Sequence, residues 1–101
     1  MDILTKCDDN ILEVTIQGEI DHHTVKEIRA EVDALIELRR PELVLLKVSG
    51  VDFMDSSGLG LILGRYKKVQ EFGGELRLIN PSARILKVLK LAGADRLLKI
   101  D

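Results

Sequence analysis

The sequence predicts an α/β domain built on a mixed β-sheet, with elements in the order β-β-α-β-α-β-α-β. Three observations lead there. Leu12, Val14 and Ile16 alternate with Glu13 and Thr15, the period of a strand with one buried face. Further along, segments with apolar residues at helical spacing alternate with short apolar runs. Glycine and proline mark the joins, at Gly18, Pro41, Gly73-Gly74, Pro81 and Gly93. At 101 residues the chain is expected to be a single domain, 1–101, with one core.

Residues 3–7 and 11–16 are read as two strands of a hairpin around the polar cluster Asp8-Asp9-Asn10. After Gly18 and Asp21, the residues Val25, Ile28, Val32, Leu35 and Ile36 set out a first helix. It ends before Pro41, because proline pushes the preceding residue out of the α region. Residues 43–48 are almost continuously apolar, as expected for an interior strand covered by helices, and 49–54 are expected to form a loop. The second helix carries Leu59, Ile62, Leu63, Tyr66 and Val69 on one stripe and stops at Gly73-Gly74. Residues 76–79 make the next strand. Asn80 is expected to cap a third helix, with Pro81 in its first turn and Ile85, Val88, Leu89 and Ala92 along it. Residues 97–100 close as a last short strand, and the alternation favours right-handed crossovers.

The composition is 46% apolar and 32% charged, which excludes a disordered chain and a fibre. Net charge is −2 with acids and bases interleaved, so no electrostatic footprint for nucleic acid is present. No apolar run approaches the roughly 20 residues needed to span a bilayer, and no membrane partner is expected. Residues 1–6 lack the layout of a signal peptide. Cys7 is the only cysteine, which rules out an internal disulfide and suits a reducing cytoplasm. Its expected place is the interior, as a small apolar residue.

The most informative stretch is Met54-Asp55-Ser56-Ser57-Gly58-Leu59-Gly60. It opens a helix, where unpaired N–H groups and the positive end of the dipole stabilise an anion. A serine there is well placed to carry a phosphate. The plainer reading is a helix cap, for which serine and aspartate are both good residues. Three capping-capable residues in a row exceed that need. The helix face opposite the apolar stripe carries Ser57, Gly60, Leu61, Gly64 and Lys68. Glycine inside an exposed helix costs about 1 kcal/mol against alanine. Two glycines one turn apart beside Leu61 therefore suggest a smooth docking strip for another protein. The structural alternative is close packing of these glycines against the third helix.

Other chemistries fit less well. A nucleophile elbow needs glycine two residues either side of the serine, and neither Ser56 nor Ser57 has both. His22, His23 and Asp55 have no spacing that assembles a triad. Gly58, Gly60 and Gly64 fall inside a helical pattern, a long loop after Val48, rather than in a tight strand-to-helix turn, so a dinucleotide site is not expected. Two adjacent histidines on different sides of a helix, without cysteine or further histidine, make no metal shell. The plain reading is that Asp21 caps the first helix and His22 and His23 lie in its solvated first turn.

Residues Phe53 to Gly60, followed by Ile62-Leu63-Gly64-Arg65-Tyr66-Lys67, resemble the anti-sigma factor antagonists of the STAS-domain family, as does Gly18-Glu19-Ile20-Asp21-His22-His23-Thr24. The likeness covers most of the chain. Ser57 points to the sporulation-type members, since general-stress antagonists more often carry threonine there. Members commonly continue into a further helix past the last strand, whereas this sequence ends at Asp101. The resemblance implies a single STAS-type domain that is a substrate and a binder, not an enzyme, and needs no cofactor. Its implied partner is an anti-sigma factor that is also a serine kinase. That kinase phosphorylates Ser56 from ATP, and a PP2C-type phosphatase reverses the change. Expected partner contacts are Asp21, Asp55, Ser57, Gly58, Gly60, Leu61 and Gly64, on a protein that is a monomer when free. Two other classes are a phosphocarrier using His22 or His23, and a STAS module that senses a small ligand.

Overall fold

The computed structural model describes residues 2–101. Asp9 and Asn10 both take positive φ, 51° and 63°, a conformation that asparagine and aspartate tolerate better than most residues. Two such residues form the tight turn whose twist suits a hairpin. It folds β1 (Asp2–Asp8) antiparallel onto β2 (Ile11–Ile20), with Ile3 opposite Ile16 and Cys7 opposite Leu12. There follow α1 (Val25–Arg39), β3 (Leu43–Met54), α2 (Ser56–Glu71), β4 (Glu75–Ile79) and α3 (Ala83–Leu91). A 3₁₀ turn at Ala94–Arg96 leads into β5 (Lys99–Ile100). The expected order of strands and helices is the observed one.

The sheet order is β1-β2-β3-β4-β5, antiparallel between β1 and β2 and parallel elsewhere. Because this order never reverses, crossovers of one hand put every helix on one face. Burial follows that rule. Leu12, Val14 and Ile16 of β2, Val44, Leu46 and Val48 of β3, and Leu76 and Leu78 of β4 are buried. They form one core with Ile28, Val32 and Ile36 of α1, Ile62 and Val69 of α2, and Ile85 and Leu89 of α3.

Helix cover of β3 is therefore one-sided. Leu43, Leu45 and Ile79 are half-buried on the other face. Ion pairs Lys47–Glu13, Arg77–Glu75 and Lys99–Glu75 lie among them. Lys47 holds the Glu13 carboxyl below its ordinary value, and Lys99 with Arg77 does the same for Glu75.

Four local expectations change. Residues 49–54 are strand, not loop, and pair with the end of β2 through two register shifts. The cap of α3 is Ser82, whose side chain accepts from the Ile85 N–H, while Asn80 turns with φ 55° and Pro81 stays outside the helix. The final strand is only Lys99–Ile100. Cys7 is exposed, because it lies on the edge strand. Gly73 stops α2 as expected, with φ 81°, and the Gly74 N–H returns to the Val69 carbonyl at 2.9 Å.

Candidate functional site

Two parallel strands end side by side, with Ile20 of β2 opposite Met54 of β3. Only Asp55 separates Met54 from α2, so both serines emerge directly at the sheet's edge. No long loop separates the glycines from a strand, although Gly58, Gly60 and Gly64 do lie inside α2.

Asp55 is the cap. Its extended backbone (φ −99°, ψ −170°) lets Oδ1 accept from the N–H groups of Ser57 at 2.9 Å and Gly58 at 3.2 Å. The Asp55 N–H donates to the Ile20 carbonyl at 3.3 Å, tying the helix start to β2. Oδ2 lies 3.8 Å from Nδ1 of His22. Desolvation acts to raise the Asp55 carboxyl, but the N–H groups of Gly58, Ser57 and His22, with the imidazole, outweigh it and hold the group below the usual range.

Ser56 is the first residue of α2 and its side chain is exposed. Ser57 is half-buried and lines a groove of about 480 Å³ between α1 and α2. Val25, Arg29, Gly60, Leu61, Gly64 and Arg65 complete the lining. Among the described residues, a Cβ built on Gly60 or Gly64 meets nothing within 4 Å, so these glycines do not seat another of the helices. Gly58 is different. Its Cβ would lie 2.3 Å from Cγ of Met54 and 2.8 Å from the Ile20 carbonyl oxygen. It is buried, and it lets the helix start sit tightly on the strand ends.

Leu61 also departs from expectation. It is 5% exposed and belongs to the core, forming the groove's floor rather than a projecting face. The buried arc of α2 contains Gly58, Leu61, Ile62 and Val69, whereas Leu59, Leu63 and Tyr66 are half-buried at its flank. Apolar counting missed this rotation because Gly58 contributes no side chain and Arg65 is charged. Arg65 is only 12% exposed at its side chain, with Nε 2.8 Å from Oδ1 of Asp33 on α1.

Asp21 is half-buried and organises the turn ahead of α1 rather than the helix itself, whose cap position is Thr24. Its Oδ1 accepts from the N–H groups of His23 at 2.9 Å and Thr24 at 3.2 Å, while Thr24 Oγ1 accepts from the Asp21 N–H at 3.0 Å. His22 and His23 precede the helix, both exposed, and their rings lie 3.8 Å apart instead of on different sides. The structure therefore gathers Asp55, Ser56, Ser57 and His22 at one corner, with Gly60, Leu61 and Gly64 leading away along the groove. Sequence reasoning had not picked out Arg29 and Arg65. Their signal was the helical spacing that puts Arg29 one turn beyond Val25, and Arg65 one turn beyond Leu61.

Residues 2–101 match the STAS domain family. The chain is 38% identical over 90 residues to the anti-sigma F factor antagonist of Paenibacillus polymyxa, covering 89% of this chain and 77% of that one. The solved structure of the anti-sigma factor antagonist SpoIIAA in its unphosphorylated form superposes with TM-score 0.85 at 29% identity, over 99% of this chain and 88% of that one. The Bacillus cell fate determinant SpoIIAA in its phosphorylated form gives TM-score 0.78 at 29% identity, over 99% and 91%. With a matching domain over nearly its whole length and these relatives, the chain belongs to the STAS-domain family of anti-sigma factor antagonists.

Proposed function

We propose that the unphosphorylated protein binds an anti-sigma factor that is also a serine kinase, and thereby releases a sigma factor in sporulation-type transcription control. The kinase transfers the γ-phosphoryl group of ATP to Oγ of Ser56. The hydroxyl proton is lost and ADP leaves. A PP2C-type phosphatase hydrolyses the ester and restores the binder. The protein works in the cytoplasm, is a monomer when free, and is a substrate rather than a catalyst.

The observation that carries this reading is the exposed Ser56 side chain at the first position of α2, beside the Asp55 carboxylate. A phosphate there adds about −1.5 to −2 charge. The helix start tolerates that charge, since its N–H groups and dipole favour an anion. A partner surface fitted to two small hydroxyls loses that fit against the bulky, hydrated phosphate. The partner surface is taken to run from Asp21 and Asp55 past Ser57 along Gly60, Leu61 and Gly64, with Gly58 seating the helix beneath it.

Incubation with the cognate kinase and ATP, followed by mass spectrometry, should add one phosphate to the wild-type chain. Ser56→Ala should accept none while still binding the kinase in the presence of ADP. Labelling of Ser56→Ala at the wild-type level would remove the assignment. Acid stability of the label separates phosphoserine from phosphohistidine at His22 or His23.

A further inference from the structure

The groove between α1 and α2 carries a charge that the molecule as a whole does not. Net charge is −2, yet the ionisable residues lining the groove are Arg29 of α1 and Arg65 of α2. The Arg65 guanidinium is incompletely satisfied. Its Nη1 is buried and has no hydrogen-bond partner among the described residues. Nε pairs with Asp33 Oδ1 at 2.8 Å, and Asp33 shares its charge with Lys68, whose Nζ lies 3.8 Å from Oδ2. Burial lowers the Arg65 pKa below the usual guanidinium value, Asp33 opposes this, and the nearby Arg29 charge adds to it. A buried cation with partial compensation is costly, and native structures resolve such a cost with a further partner.

The groove that Arg65 lines is open. Gly60 and Gly64 carry no side chain to fill it, and Val25 and Leu61 supply an apolar lining. An acidic side chain suits that combination, its methylenes against Val25 and Leu61 and its carboxylate on the guanidiniums. We propose that the groove receives an aspartate or glutamate side chain of the anti-sigma factor partner, with Arg29 and Arg65 as its receptors. The inference rests on the partner-binding reading above and adds the chemistry of the contact. It also gives phosphorylation a second effect, because Ser57 lines the groove and Ser56 adjoins it, so new negative charge stands close to the incoming acid.

The test is calorimetric titration of the full unphosphorylated chain with the ADP-loaded kinase at two salt concentrations. Arg29 is exposed, so its variants should fold as the wild type does, checked by circular dichroism. Arg29→Glu should weaken binding about tenfold or more and flatten the salt dependence, while Arg29→Lys stays within about threefold. If the wild-type chain binds and Arg29→Glu binds equally well, the groove proposal is overturned and the function stands. If the wild-type chain does not bind the kinase at all, both fall. Inorganic phosphate shifting the Gly60 and Gly64 amides, with kinase binding indifferent to Arg29→Glu, would mean a small-anion site and overturn the proposal. A dimer in sedimentation that Arg29→Glu dissolves would mean a second copy as occupant, and would overturn it too.

Discussion

Three glycines on one helix answer to different physics at the residue scale. Gly58 has backbone and side chain within 3 Å of where a Cβ would stand, so Gly58→Ala forces the helix start off the strand ends. The expected cost is about 1–3 kcal/mol in urea unfolding, the usual range for overpacking. Gly60 faces open space, and Gly60→Ala should stabilise the free protein by about 0.5–1 kcal/mol through helix propensity and a less disordered unfolded chain. A chain in which both substitutions have the same sign would contradict this assignment. Sequence spacing made the three glycines look alike; only the register of α2 against Ile20 and Met54 separates them. Asp55 adds a pH dependence. Its carboxyl lies below the ordinary value of 3.8 in the folded state, so its contribution is complete above that value and is lost as pH falls through the folded one. Asp55→Ala should therefore lower the urea midpoint at neutral pH, with the difference closing at the acid end of the folding range.

Among the elements, β3 shows most clearly what the sequence carried and what it hid. Val44, Leu46 and Val48 are buried at intervals of two, which made residues 43–48 legible as strand. Val48, Val51 and Met54 are then buried at intervals of three. Each interval contains one residue more than β2 supplies: Thr15 and Gln17 face Lys47 and Gly50, and Gly18 and Glu19 face Val51 and Phe53. Such bulges break the period-2 signal while keeping the strand paired, which is why 49–54 read as loop. Bulges also re-aim the residues beyond them. Deleting Asp52 would remove the second bulge yet leave Val51 and Met54 on the core face. That variant should keep its circular dichroism and a cooperative melt but be phosphorylated at Ser56 about tenfold or more slowly, from misplacement alone. Unchanged labelling would deny the bulge any positioning role. At the start of α3 the sequence pointed to Asn80 as cap, but Ser82 serves, since Asn80 is held in the turn by its N–H bond to Asp101 O at 2.7 Å. Ser82→Ala should cost about 1 kcal/mol in the same unfolding assay.

For the whole molecule, the question is whether a charge added at one corner alters the fold or only the contact it makes. The site stands on the ends of two parallel strands whose buried residues join all three helices in one core. Closely packed interiors resist small continuous displacements. Locally, a phosphate on Ser56 gains about 0.3–1 kcal/mol from the helix dipole, offset in part by repulsion from Asp55. These contributions oppose each other within the folded chain. Phosphorylated and unphosphorylated protein should therefore share a circular dichroism spectrum and have urea midpoints that nearly coincide. Their amide shifts should differ chiefly at residues 21–24 and 54–61, while kinase affinity in the presence of ADP drops about tenfold or more. Amide shifts spreading through β4, α3 and β5, or a large change in unfolding midpoint, would place the switch in the scaffold instead of at its surface.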